Sequence, residues 1–151
     1  MKLITCRYNG AEHTAVVTHG DTQAVMTEDL GYHFRDMNDL IRSTDRSELR
    51  RMEALAQGSG KMIPLNRVEL TAPIPHPVRD VICMGLNYKA HADEMAEALN
   101  EEKKERVYPI YFGKAVDRCL GHGEAVPSHS DFISTLDYEC ELPVLRYLQC
   151  L

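Results

Sequence analysis

The sequence lacks several features that would place it in a specialised class of protein. No apolar run is long enough to cross a bilayer, and the amino terminus has no long apolar segment typical of a secretory signal. Lysine and arginine together number 17 against 23 aspartates and glutamates, which gives a formal net charge of −6. This balance argues against nucleic acid and anionic membrane surfaces as partners. We therefore expect a cytoplasmic protein without membrane or nucleic-acid partners.

The cysteines lack any metal-binding or disulfide-framework pattern. There are five, an odd number, widely scattered and without a C-x-x-C pair. That spacing argues against both a disulfide framework and a zinc site. Free thiols in a reducing compartment are the simplest interpretation. The five are Cys6, Cys83, Cys119, Cys140 and Cys150.

Length and composition indicate a globular chain with room for a core. The 151 residues suffice for one ordinary domain or two small ones, and 44% are hydrophobic against 26% charged. The pattern predicts an α+β fold that is mainly β. We expect a β-rich amino-terminal domain with a helical insertion at 1–70, a proline-rich connector at 71–78, and a second domain at 79–151.

Strand patterns dominate the first thirty residues, and helical spacing follows. Asn9-Gly10 is a strong two-residue hairpin signal between two predicted strands. Asp45, with Glu48 three residues later, resembles a helix-start capping arrangement, and Gly58 is expected to end that helix. The predicted strands are Lys2–Tyr8, His13–Thr18, Thr22–Thr27 and Val68–Leu70.

The second domain is predicted to alternate strands with one helix. Its first strand is apolar enough to be buried, and the helix that follows becomes almost wholly polar in its later part. That later part is equally consistent with a mobile flap, because a polar segment is marginally stable as an isolated helix. The predicted elements are the strand Asp80–Met84, the helix Lys89–Arg106, and the strands Ile110–Lys114 and Leu136–Leu142.

His91 and Glu94 are the first candidate catalytic residues. Residues three apart on a helix share a face, so the Glu94 carboxylate can orient the His91 imidazole. A carboxylate-oriented imidazole is the arrangement of a general base. The ordinary alternative is a pair of surface residues near a helix start.

Glu139 and Glu141 are the candidate metal ligands. Residues two apart on a strand point the same way, and two carboxylates on one face repel each other unless a cation lies between them. Oxygen ligands suit Mg²⁺ or Mn²⁺. A solvated strand face is the ordinary alternative. Lys114, at the end of an apolar strand, can meet an anionic substrate group or extend into solvent.

Three motifs in order give the chain a family resemblance. They are a G-x-N-Y-x-x-H-x-x-E segment at 85–94, a short aromatic-plus-lysine strand at 111–114, and D-Y-E-x-E-L at 137–142. Together they resemble the fumarylacetoacetate hydrolase family over roughly residues 78–142. Three motifs in the right order are specific at the level of the family, although not at the level of the substrate.

The resemblance implies a site and an activity. By position, Glu139 and Glu141 would bind Mg²⁺ or Mn²⁺, and His91 with Glu94 would form the acid–base dyad. Asn87, Tyr88 and Lys114 would contact substrate. The family acts on 2-oxo and 1,3-dicarbonyl acids by hydrolysis, decarboxylation, hydration or isomerisation, so a small oxo acid is the expected substrate.

The resemblance also implies an architecture and an assembly. It makes the second domain the first part of a mixed β-sheet roll, and it makes the segment from Lys89 to about Arg106 a lid that orders over substrate. It further implies a homodimer.

The sequence also departs from the family pattern. The family completes its metal site with an aspartate well downstream, whereas this sequence has ten residues after Glu141. We therefore expect a catalytic domain that is truncated, binds metal weakly and turns over little substrate. The alternative is a non-catalytic fragment or pseudoenzyme that acts through protein association. A weaker option is a metal site formed by His13, His19 and His33, whose spacing fits no recognised pattern.

Overall fold

A computed structural model describes residues 1–86, 88–100 and 108–135. Asn87, Glu139 and Glu141 therefore lie outside the described residues, as do the predicted strand at 136–142 and the polar stretch 101–107. The described chain divides into two units, one comprising residues 1–78 with 117–135 and the other residues 79–116. Each is considered by itself.

A five-stranded antiparallel sheet forms the centre of the first unit. Its strand order is β4-β3-β2-β1-β5, and β1 pairs with β2 along its whole length. Asn9 and Gly10 join these two strands with φ values of 50° and 83°, the left-handed conformation that a two-residue turn requires. The strands are β1 (Lys2–Tyr8), β2 (Ala11–Thr18), β3 (Gln23–Met26), β4 (Ile63–Pro64) and β5 (Glu69–Leu70).

Two helices, α1 (Met37–Ser43) and α2 (Arg46–Gln57), follow the first three strands. Each begins at an aspartate whose side chain accepts a hydrogen bond from a backbone N–H three residues later. Asp36 caps α1 through Asp39, which the sequence pattern did not predict. Asp45 caps α2 through Glu48, as predicted. A 3₁₀ turn at Thr27–Leu30 precedes α1, and a second at Leu65–Arg67 lies between β4 and β5.

Period-two alternation along the strands divides the core of the first unit between the two faces of the sheet. Val16 and Val25 project to the face that packs against Met52 and Ala56 of α2. The opposite face buries a second cluster around Met26, comprising Cys6, Ala15 and Ala24. The mixed helix and strand content confirms the predicted α+β, mainly β class.

The proline-rich segment 71–78 packs into the first unit. Ile74 is buried against Met37 and Leu40 of α1, and the Thr71 N–H donates to the Thr5 carbonyl at 3.1 Å. A later stretch of chain runs against this segment, because the Cys119 N–H donates to the Pro75 carbonyl at 2.8 Å.

The second unit contains an antiparallel ribbon and one helix. The strands β6 (Val81–Gly85) and β7 (Ile110–Lys114) pair along their full length, and α3 (Lys89–Ala98) lies between them in sequence. The prediction that this first strand is buried is wrong for the described residues, since Ile82 is 75% exposed. The continuous apolar run at 81–84 indicated a strand correctly, but within the described residues the two-stranded ribbon has no second layer that covers both of its faces.

The predicted extent of α3 is also wrong. The helix ends at Ala98 rather than Arg106, and Asn100 adopts a left-handed φ of 52°, which cannot continue a right-handed helix. The predicted polar extension beyond that point lies outside the described residues. Within the described ranges, no helix has the length and apolar character that a membrane span needs.

Candidate functional site

The first predicted motif forms a strand–turn–helix unit. Strand β6 ends at Gly85, and Leu86 takes a left-handed φ of 52° that turns the chain away from the strand. Tyr88 then occupies the N-cap position of α3 in an extended conformation, without a capping hydrogen bond from its side chain. The Ala92 N–H donates to the Tyr88 carbonyl at 3.0 Å and closes the first helical turn. Gly85 therefore lies just before the turn that leads into α3, and Tyr88 lies just after it.

His91 and Glu94 lie on α3, as the sequence predicts. His91 is in the first turn and partly buried, and Glu94 is one turn later and exposed. Their three-residue spacing places both on one helix face. Among the described residues no hydrogen bond joins the His91 ring to the Glu94 carboxylate. The arrangement supplies an accessible imidazole with a carboxylate on the same face.

Lys114 lies at the end of β7, opposite Val81 of β6. Its ammonium nitrogen is 5.7 Å from the centroid of the Phe112 ring, within the range of a cation–π interaction. Phe112 is two residues earlier on the same strand, so both side chains leave the same face of the ribbon. The Phe112 ring is therefore one of the groups that contact the Lys114 ammonium.

The predicted metal ligands Glu139 and Glu141 and the predicted substrate contact Asn87 lie outside the described residues. Residues 1–86, 88–100 and 108–135 contain no group of three or more His, Cys, Asp or Glu side chains placed to hold a metal ion. The two glutamates supply hard oxygen donors that suit Mg²⁺ or Mn²⁺, but fewer than that ion's coordination sphere requires.

The structure excludes the three-histidine metal site. His13 and His33 line one cavity of about 420 Å³ in the first unit, whereas His19 lies in the turn between β2 and β3 with a φ of 51°. His13 is instead engaged by Glu28, with 2.5 Å between Nδ1 and Oε1. Sequence reasoning missed this pair, because the two residues are 15 positions apart on different elements and no local pattern links them.

Cys6 lies fully buried in the sheet of the first unit. Burial, together with smaller contributions from the nearby carboxylates of Glu28 and Glu12, raises the pKa of its thiol to about 11. A buried thiol that keeps its proton is an inert core residue rather than a nucleophile.

The motifs on α3 and β7 fall inside a stretch that matches a known protein family. Residues 80–149 match the family described as fumarylacetoacetate (FAA) hydrolase, C-terminal. This stretch of the chain is therefore similar to the fumarylacetoacetate hydrolase family. His91, Glu94 and Lys114 all lie within the matched residues, together with Glu139 and Glu141.

Individual curated proteins are also similar to this chain. The chain is 42% identical over 84 residues to oxaloacetate tautomerase YisK of Bacillus subtilis (strain 168), an alignment covering 56% of this chain and 27% of that protein. It is 36% identical over 104 residues to an uncharacterized protein of Staphylococcus aureus (strain USA300), covering 66% of this chain and 32% of that one. The alignments thus span about a quarter to a third of the length of these curated relatives.

Proposed function

We propose that this chain is part of an enzyme that acts on small oxo acids. In this enzyme, His91 moves a proton at the carbon beside the oxo group of a 2-oxo or 1,3-dicarbonyl acid. One observation carries the proposal: His91 lies in the first turn of a helix that opens directly after β6, inside the stretch that matches the family. The name of the Bacillus subtilis relative, an oxaloacetate tautomerase, supports a substrate of the oxaloacetate type.

The proposed chemistry is enolisation. A base removes a proton from the carbon next to the oxo group, the C–H electron pair becomes the C=C bond, and the former carbonyl electron pair moves to oxygen, which takes up a proton. His91 is the group assigned to that transfer. Glu94, on the same helix face, would orient the ring when substrate is bound. Hydrolytic C–C cleavage, decarboxylation and hydration of related acids draw on the same enolate-forming chemistry.

The proposed enzyme uses a divalent metal, Mg²⁺ or Mn²⁺, with Glu139 and Glu141 as the residues that would hold it. Two carboxylates two positions apart supply the hard oxygen donors that these ions prefer. A bound ion supplies positive charge to the oxygen atoms of an oxo acid. On the substrate side, Lys114 would meet a carboxylate, with Asn87 and Tyr88 as further contacts.

The finer architecture is also part of the proposal. We assign β6 and β7 to the first part of a mixed β-sheet roll of the family type, and the segment that begins at α3 to a lid over substrate. A cytoplasmic location is supported by the free thiols of Cys6, Cys83 and Cys119.

The test compares two histidine variants of the full chain. Tautomerisation of oxaloacetate is followed by the loss of enol absorbance in millimolar Mg²⁺. His91→Asn should lower the catalysed rate by about 100-fold or more, the usual contribution of a general base. His122→Asn, which changes an exposed histidine in a turn of the other unit, should leave the rate unchanged. Equal rates in the two variants would refute the assignment of His91.

A second candidate function is association without catalysis, and one surface feature favours it. Ile82, Met84 and Tyr111 lie on one face of the β6–β7 ribbon, and Ile82 and Tyr111 are 75% and 61% exposed. Apolar side chains grouped on an open sheet face mark an interaction surface. The occupant we propose is a second copy of this chain, which would form a homodimer.

Sedimentation of surface variants tests whether this ribbon face forms the dimer interface. If the ribbon face forms the dimer, Ile82→Ser should shift the chain toward monomer. Phe132→Ser, which changes a side chain 73% exposed in the other unit, should not. A dimer that survives Ile82→Ser together with Tyr111→Ser would refute this interface.

A further inference from the structure

We infer that Phe112 is a positioning residue that holds the ammonium group of Lys114 ready for a substrate carboxylate. This inference rests on the proposed function, in which Lys114 meets the acid group of an oxo acid. It assigns to the aromatic residue of the Tyr111-Phe112-Gly113-Lys114 strand a role in substrate binding rather than in proton transfer.

The contact between the two side chains follows from the geometry of β7. Residues two apart on a strand share a face, and the Lys114 nitrogen lies 5.7 Å from the Phe112 ring centroid. A cation within about 6 Å of an aromatic centroid is attracted to the negative face of the ring. Antiparallel pairing with Val81 and Cys83 holds both backbone positions in register. The strand therefore sets the position of the ring that contacts the Lys114 cation.

The ring itself is held by the end of β6. A Cβ added to Gly85 would lie 3.7 Å from Cε1 of Phe112 and 3.6 Å from Cγ2 of Ile110, which is ordinary van der Waals contact. The Phe112 ring thus packs over the backbone of Gly85, the last residue before the turn that leads to α3. One aromatic side chain touches both Lys114 and the start of the segment that carries His91.

The Phe112 ring restricts the motion of the Lys114 ammonium group without cancelling its positive charge. An exposed lysine has several rotatable bonds, and fixing them on binding costs conformational entropy. A ring that already restricts the ammonium lowers that cost, while the positive charge remains able to form a charge-assisted hydrogen bond to a carboxylate. The consequence is tighter substrate binding with no change in the proton-transfer step.

A purely structural role predicts different results from the same substitutions. Phe112→Leu keeps an apolar side chain to pack on Gly85 and along the lysine stem but removes the aromatic face. Phe112→Tyr keeps that face. If Phe112 only packs, both variants behave alike; if it positions the cation, only Phe112→Leu weakens binding.

The experiment titrates oxalate, an unreactive dicarboxylate, into the full chain in Mg²⁺ and measures its Kd by calorimetry. Phe112→Leu should raise the Kd about two- to five-fold, Phe112→Tyr should restore the wild-type value, and Phe132→Leu in the other unit should have no effect. In turnover of oxaloacetate, Phe112→Leu should raise KM by the same factor and leave kcat unchanged. Wild-type chain that binds no oxalate, or equal Kd values for Phe112→Leu and wild type, would overturn the inference.

A proton NMR measurement supports the same test without any ligand. The ε-methylene protons of Lys114 should show an upfield ring-current shift in wild type and in Phe112→Tyr, and should lose it in Phe112→Leu. Absence of that shift from wild type would also overturn the inference.

The experiments separate failure of the proposed function from failure of this inference. If only the proposed function is wrong, the chain does not turn over oxaloacetate, but its affinity for oxalate still depends on Phe112. The opposite result, turnover with oxalate affinity independent of Phe112, would refute only the positioning role.

Discussion

Gly121 lies so close to Thr71 that an added Cβ would be 2.8 Å from the Thr71 Cα. The obstacle is backbone, which cannot rotate aside as the end of a long side chain can. This close approach occurs where the chain after β7 runs along the proline-rich segment, near the hydrogen bond from the Cys119 N–H to the Pro75 carbonyl. Gly121 is therefore a packing requirement of the first unit.

Substituting Gly121 should destabilise the first unit. Gly121→Ala forces a backbone shift and should lower the free energy of unfolding by about 1–3 kcal/mol, the usual cost of overpacking. Urea unfolding followed by circular dichroism measures the change. Gly60→Ala is the matched control, because an added Cβ there meets nothing within 4 Å. Equal destabilisation by the two substitutions would contradict the packing account.

Removing the cap of α2 should destabilise the same unit in a pH-dependent way. The Asp45 side chain accepts from the Ser47 hydroxyl and the Glu48 N–H, and these hydrogen bonds lower the pKa of its carboxyl. A lowered pKa in the folded state gives stability that is present above the ordinary value of 3.8 and is lost as pH falls through the folded pKa.

Asp45→Ala should therefore lower Tm by roughly a few degrees at pH 7. The difference from wild type should shrink as the pH falls below about 4, because the protonated cap no longer favours the folded state. Asp131→Ala, which changes an exposed aspartate in a turn of the same unit, serves as the control away from a helix start. A difference in Tm that stays constant down to pH 2 would show that the capping carboxylate is not its source.

Cys6 should resist alkylation in the folded chain. With its pKa raised to about 11 by burial, only roughly one thiol in a thousand is ionised at pH 8, and the side chain is inaccessible. Peptide mass mapping after brief treatment with iodoacetamide should find Cys119, which is partly exposed, modified well before Cys6. Modification of both at similar rates would contradict the burial of Cys6.

The same thiol should make stability fall in alkali. Between the ordinary pKa of 9.0 and the folded value of about 11, the unfolded chain loses the Cys6 proton and the folded chain keeps it. The free energy of unfolding therefore decreases as pH rises through that window. Cys6→Ala should lose this slope, and Cys119→Ala should retain it.

Mn²⁺ binding should be weak and should depend on the two predicted ligands. Two carboxylates fall short of the oxygen ligands that such an ion takes, and the described residues offer no group of three further ligands. Calorimetry should give a dissociation constant well above micromolar, and the double substitution Glu139→Gln with Glu141→Gln should remove the remaining binding. Micromolar affinity in wild type would show a more complete metal site than we expect.

Local chemistry made much of the first unit predictable. Asn9-Gly10 gives its turn directly, and Asp45 with Glu48 gives the start of α2, because each signal involves neighbouring residues. Contacts between distant residues had no such signal. The hydrogen bond from Cys119 to Pro75 and the His13–Glu28 pair join segments that no periodicity relates.

The candidate site was predictable to a similar degree. The placement of His91 in the first turn of a helix and of Lys114 at a strand end followed from the motifs. The end of α3 at Ala98 did not follow from the motifs. The exposure of Ile82 did not follow either, because residue type alone does not reveal whether a layer covers an apolar strand. The roles of Asn87, Glu139 and Glu141 stay predictions.

Hydrogen exchange at the carbon beside the oxo group of oxaloacetate tests the central claim most directly. In D₂O with Mg²⁺, NMR should show the wild-type chain and the His122→Asn control incorporating deuterium at that carbon faster than buffer alone. His91→Asn should reduce the catalysed rate by about 100-fold or more. Exchange in His91→Asn at the wild-type rate would contradict the assignment of proton transfer to His91.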